Sequence, residues 1–129
     1  MSRPQADPDI QLYKQKCNNI LAISTRIRYA GIMNKFGRTL AGGLRKGVVP
    51  LLKPEEARNE HFIEATRNQF RRNFERSIGR EEYTLTENEK VKILTMSSED
   101  HFYYVTLDKE TPINEVMKII EETKTLVGK

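Results

Sequence analysis

Apolar residues recur every three or four positions in three segments of this chain and every second position in several shorter ones, which predicts three helices and five strands. Ile10, Tyr13, Cys17, Ile20 and Leu21 fall on one helical face, with Asp7 or Asp9 placed as the N-cap. Residues 26–33 then alternate as a strand, with Ile27, Tyr29, Gly31 and Met33 on one side and Arg28 on the other. A second strand begins at Thr39, Leu40 and Ala41. The intervening Asn34-Lys35-Phe36-Gly37 reads as a hairpin turn. Gly37 supplies the positive φ that a short loop needs, and the Asn34 side chain can accept a bond from the backbone two residues on.

The glycines and lysine of Gly42-Gly43-Leu44-Arg45-Lys46-Gly47 raise the rival reading of a phosphate loop. Their order argues against it. A phosphate loop needs Ser or Thr after Gly-Lys and a helix at once, whereas here Gly47 and Val48 follow the lysine and Pro50 interrupts. The next helix begins only at Pro54, with Glu55 and Glu56 complementing its positive end, and runs to about Ile78 with Gly79 as C-cap. At about 100° per residue, Ile63, Phe70, Phe74 and Ile78 gather on one side, expected to be buried. Arg58, Gln69, Arg72, Arg76 and Arg80 gather opposite, as a solvent-facing arginine ridge expected to bind a partner.

Tyr83, Thr84 and Leu85 predict a short strand, expected to be an exposed edge at which a second copy pairs, and residues 86–89 a turn. Residues 91–96 and 101–107 alternate around the turn Ser97-Ser98-Glu99-Asp100, the clearest hairpin in the chain. Thr111 is placed to cap a last helix with Pro112 at its first position, and Ile113, Val116, Met117, Ile120 and Val127 form its apolar stripe. Residues 1–8, with Pro4 and Pro8, read as a flexible lead-in to a single domain over 9–129.

Composition narrows the class. The 129 residues suffice for one domain with a real core, and 37% hydrophobic against 31% charged residues describe a globular protein with an ionic surface. A lone Cys17 allows no disulfide framework, and no apolar run approaches the ~20 residues of a membrane span, so a cytoplasmic location is expected. A formal net charge of +4 is only modestly basic.

The order helix, two strands, long helix, three strands and closing helix resembles the roadblock family, and the stretch AGIMNKFGRTLA at residues 30–41 looks like that family's first hairpin. Longin and profilin domains share related architecture, but longins begin with a strand. The resemblance covers residues 9–127 and fits an archaeal or bacterial branch of the fold. It implies an α+β domain with one central antiparallel five-stranded sheet, the first and last helices on one face and the long middle helix on the other. It also implies homodimers or heterodimers that engage small GTPases or serve as platforms for signalling complexes, with no catalytic residues and no cofactor.

The residues themselves offer little rival chemistry. His61, His101 and Cys17 are the soft metal ligands, and no pair stands at ligand spacing. The adjacent pairs Glu55-Glu56 and Glu121-Glu122 point to different sides of their helices, and no base is placed beside Ser97 or Ser98. Tyr103 and Tyr104 point to opposite faces of their strand. The expectation is therefore a non-enzymatic protein-interaction module without metal. Two alternatives stay open: a nucleic-acid binder using Arg58, Arg72, Arg76 and Arg80 on phosphates, and a sensory domain with a small ligand where Met33, Leu94, Phe102 and Tyr104 do not fill the space.

Overall fold

Five strands, β1 (Ile27–Asn34), β2 (Thr39–Leu44), β3 (Thr84–Glu87), β4 (Val91–Ser97) and β5 (His101–Asp108), pair antiparallel in one sheet of order β2-β1-β5-β4-β3. The helices are α1 (Ile10–Leu21), α2 (Pro54–Arg71), α3 (Glu75–Ile78) and α4 (Ile113–Val127), and a 3₁₀ turn over Arg72–Phe74 joins α2 to α3. The description rests on a computed structural model and covers residues 9–128. Asp7 and the lead-in over residues 1–8 lie outside the described residues. The long middle helix of the sequence reading is thus α2 continued through one tightened turn into α3. The order of elements is the one the apolar pattern predicts.

The first hairpin turns for the expected reasons. Gly37 has φ +88°, and Asn34 Oδ1 accepts from the backbone N–H of Phe36 at 2.9 Å and of Arg38 at 3.0 Å. Gly37 also lies under α2: a Cβ there would stand 2.8 Å from the His61 carbonyl oxygen, so glycine is required by space as well as by conformation. Beyond β2, Arg45 settles the question of a phosphate loop. Its Nε donates to the Ile27 carbonyl at 2.7 Å and its Nη2 to those of Ser24, at 2.7 Å, and Leu21. The guanidinium is a structural staple between α1, β1 and β2.

The main core lies between the sheet and the pair α1 and α4. Cys17 and Ile20 of α1 and Val116, Ile119 and Ile120 of α4 pack on Ala30, Ile32, Leu94, Tyr103, Val105 and Leu107. Alternation sends Met33, Ile93, Phe102 and Tyr104 to the opposite face, where α2 contributes a single buried apolar side chain, Ala65. Tyr103 and Tyr104 do separate across the sheet, as read.

Four sequence expectations are corrected. Ile27 does not share a face with Tyr29, Gly31 and Met33, because the β1–β5 register shifts between Ile27 and Tyr29 and the extra residue, Arg28, flips Ile27 into the α1/α4 core. Leu94 likewise faces α1 and α4, so it cannot fill the same space as Met33, Phe102 and Tyr104. The strand read at Tyr83, Thr84 and Leu85 begins one residue later and continues through Glu87, where a turn was expected. Thr111 does not cap α4: its Oγ1 donates back to the Asp108 carbonyl at 2.7 Å, and Pro112 itself occupies the N-cap position.

The stripe of α4 is also rotated. Val116, Ile119, Ile120 and Thr123 are buried, whereas Ile113 is 71% exposed and Met117 lies at the surface. The sequence stripe passed over Ile119 and Thr123 in favour of Ile113 and Met117, because apolar residues lie on both sides of Val116 and Ile120 and the threonine gives no apolar signal. Ile119→Ala should therefore cost about 2–5 kcal/mol and Ile113→Ala under about 0.5 kcal/mol in denaturant unfolding. Equal losses would contradict this orientation of α4.

Candidate protein-interaction surface

The site is built on α2, whose start is locally specified. Pro54 occupies the first turn, and the Glu56 carboxylate accepts from the Lys53 backbone N–H at 2.9 Å. What the helix turns inward is dictated by the sheet below it. Tyr104 fills the gap with a large ring, so α2 offers only His61, Ala65 and Asn68 to the interior. The His61 ring meets Tyr104 edge to face at 4.8 Å, and the Tyr104 hydroxyl donates to Glu60 Oε2 at 2.9 Å. Burial, then the Glu60 charge, pushes the Tyr104 phenol well above its ordinary range. Burial lowers the His61 pKa, and burial followed by the Glu60 charge raises that of Glu64.

Further polar ties fix the same orientation. Gln69 Nε2 donates to the Lys35 carbonyl at 2.8 Å in the β1–β2 turn, and Arg72 Nη2 to the Glu99 carbonyl at 2.7 Å in the β4–β5 turn. Arg67 grips Glu81 with two bonds of 3.0 and 2.9 Å, holding the segment that leads into β3. The helix is therefore fastened mostly by hydrogen bonds and ion pairs at its flanks.

The consequence reverses the expected orientation. Ile63, Phe70, Phe74 and Ile78 are not buried: Ile63 is 58% exposed, Phe70 66% and Ile78 72%, and Phe62 joins them at 62%. The arginine side of the helix is the one that borders the sheet. Gln69 and Arg72 are engaged by the hairpin turns, while Arg58, Arg76 and Arg80 make no hydrogen bond or ion pair among the described residues. Helical periodicity found both stripes correctly. It could not tell which one faces a sheet whose own side chains are already large.

At the sheet edge, β3 pairs only with β4, so its outer backbone groups are open among the described residues. Tyr83 and Leu85 pack partly buried against the main core, and the Thr84 and Thr95 hydroxyls bond each other across the strands. Sequence reasoning missed Glu60, His61, Asn68 and the Arg67–Glu81 pair. Only the helical offset of Glu60 and Asn68 from Ala65 could have flagged them. Cys17 is buried beneath α1, where burial raises its thiol pKa to about 11, and His101 sits between the rings of Tyr13 and Tyr103. Among the described residues, no three His, Cys, Asp or Glu side chains gather as metal ligands, and no helix is long and apolar enough to cross a membrane.

One antiparallel sheet carrying α1 and α4 on one face and the long α2 on the other is the roadblock-like architecture. Among solved structures, the chain is similar to the gliding protein MglB of Thermus thermophilus, with 13% identity, a TM-score of 0.73 and coverage of 98% of this chain and 95% of that one. A structure described as MglB with tetrameric arrangement gives 13%, 0.70 and 98% of each chain. A Roadblock/LC7 domain from Streptomyces avermitilis gives 9%, 0.59, and 90% and 98%. No family model and no curated sequence matches the chain.

The buried imidazole yields a pH prediction. Its folded pKa lies below the unfolded one, so the unfolded chain takes up the proton first and stability falls as pH drops through the unfolded value near 6.5. The raised pKa of Glu64 acts oppositely in the acid range, adding stability as pH falls through it. His61→Gln should therefore flatten the loss of thermal stability between neutral pH and about pH 5.5, leaving the part contributed by His101, which burial and then Lys16 also lower. Parallel melting curves for the two proteins would contradict the assignment.

Proposed function

We propose that this chain is a non-enzymatic protein-interaction module that self-associates through the outward face of α2 and the edge of β3, and acts as a regulatory scaffold for a small GTPase in the cytoplasm. The observation that carries the reading is the apolar stripe of Phe62, Ile63, Phe70, Phe74 and Ile78, exposed on a helix with one buried apolar residue of its own. Full burial of each such side chain is worth about 1.5–3 kcal/mol over leaving it in water, so a face with five of them favours an interface.

A second copy of the chain suits that face because α2 is charged asymmetrically. Residues 54–66 hold four glutamates and one arginine, and residues 67–80 hold five arginines and one glutamate. Two copies laid antiparallel about a two-fold axis set the acidic half of each against the basic half of the other, whereas a parallel pair opposes like charges. The open edge of β3 gives the same two copies a second surface on which to pair. The tetrameric arrangement described for one structural neighbour supports self-association, and the resemblance to the roadblock family supports a GTPase as the further partner.

Light scattering tests the first part. The wild type should run at twice the 15.0 kDa chain mass or more at tens of micromolar, and Ile63→Glu with Phe70→Glu should give a folded monomer. Antiparallel charge pairing further predicts that the assembly weakens as salt rises. A wild-type monomer at 15.0 kDa would end the reading. Capture of a GTP-binding protein from native cytoplasm by the wild type tests the second part, and its absence would remove the GTPase while leaving the assembly.

A further inference from the structure

Between the C-terminal part of α2 and the β4–β5 turn lies a recess of about 240 Å³. Its donors are Asn68, Arg71, Arg72, Arg80, Ser97 and Ser98. Asn68 is only 9% exposed, yet its side-chain amide has no hydrogen-bond partner among the described residues. The amide opens onto the recess, so a group that enters there can bond to it.

The cations around it keep donors to spare. Arg80 has no partner among the described residues, and Arg72 gives one of its donors to the Glu99 carbonyl. Arg71 stands 3.9 Å from Glu81 and lies over the Phe74 ring. Three carboxylates also line the space. Glu81 is already held by Arg67 through both oxygens, and Glu75 and Glu99 are exposed, as are the three arginines, so solvent screens both signs alike. The lining holds three guanidiniums and three carboxylates, and with Arg67, which shares Glu81, the cluster carries one cation in excess.

We propose that this recess is a binding site for a phosphate monoester. A carboxylate offers two oxygens and one charge. A phosphate monoester offers three acceptor oxygens and up to two charges, which matches three forked guanidiniums with an amide and two hydroxyls between them. The volume accommodates a phosphate together with the first atoms of the group that carries it. Arg71, Arg72 and Arg80 also belong to the basic half of the helix that the proposed self-association sets against the acidic half of a second copy, so binding is measured on the Ile63→Glu, Phe70→Glu monomer as well as on the wild type, and retention in the monomer separates the two readings.

Amide NMR titration of the full chain with inorganic phosphate, O-phosphoserine, glucose 6-phosphate and, as a carboxylate control, glutamate tests the site. Saturable shifts at residues 68, 80, 97 and 98 are expected with the phosphates, and clearly weaker ones with glutamate. Arg80→Gln, an exposed substitution that leaves the fold intact, should weaken phosphate binding about tenfold, the loss of one charge-assisted bond, while Lys14→Gln on α1 should not. Tighter binding of O-phosphoserine would identify a phosphorylated side chain as the source, and tighter binding of glucose 6-phosphate a small metabolite. Absence of saturation, equal affinity for glutamate, or equal loss in Lys14→Gln would each overturn the proposal.

Discussion

The contact between Tyr104 and α2 sets the character of this molecule. Its ring occupies the space between sheet and helix, its hydroxyl bonds Glu60, and it meets the His61 ring in a T-shaped contact. A helix above such a residue can present only small or polar groups inward. Ala65 and Asn68 meet that requirement, and the phenylalanines one turn away cannot. The rotation of α2 about its own axis follows from a demand for space on the sheet side, and with it the exposure of the stripe on the other.

The two faces of the sheet are consequently unequal. The α1/α4 side holds a deep core in which β1 and β5, the central strands, place Ile32, Val105 and Leu107 out of water. The α2 side holds a thin one, supplemented by Arg67–Glu81, Gln69–Lys35 and Arg72–Glu99 at its margins. Hydrophobic stabilisation scales with apolar area removed from water, so the first face supplies most of the cohesion. The second face is free to carry its large apolar side chains outward, which is the physical basis for assigning it to partners.

The polar margins serve more than attachment. Glu99 and Lys35 lie in the two hairpin turns at one end of the sheet, so the bonds from Gln69 and Arg72 register α2 against the strand ends. That registration forms the recess beneath the basic half of the helix, and Arg71, which lies over Phe74, marks where the recess meets the apolar stripe.

The element order, the two hairpin turns, the start of α2 and the split between Tyr103 and Tyr104 were legible in the sequence, because each depends on neighbours within a few residues: a glycine with φ +88°, an asparagine that bonds its own turn, a period of two or of 3.6. The resemblance of that order to the roadblock family was legible for the same reason. Only the tertiary structure decided the facing of the helices. Periodicity locates a stripe of Ile63, Phe70, Phe74 and Ile78 but carries no sign, and inside and outside are settled by what lies across the gap, here the bulk of Tyr104 supplied by a strand distant in the chain. The bulge at Arg28 and the buried Thr123 escaped for a kindred reason: a register shift and the burial of a hydroxyl are choices made by neighbours in space, and local residue type does not encode them.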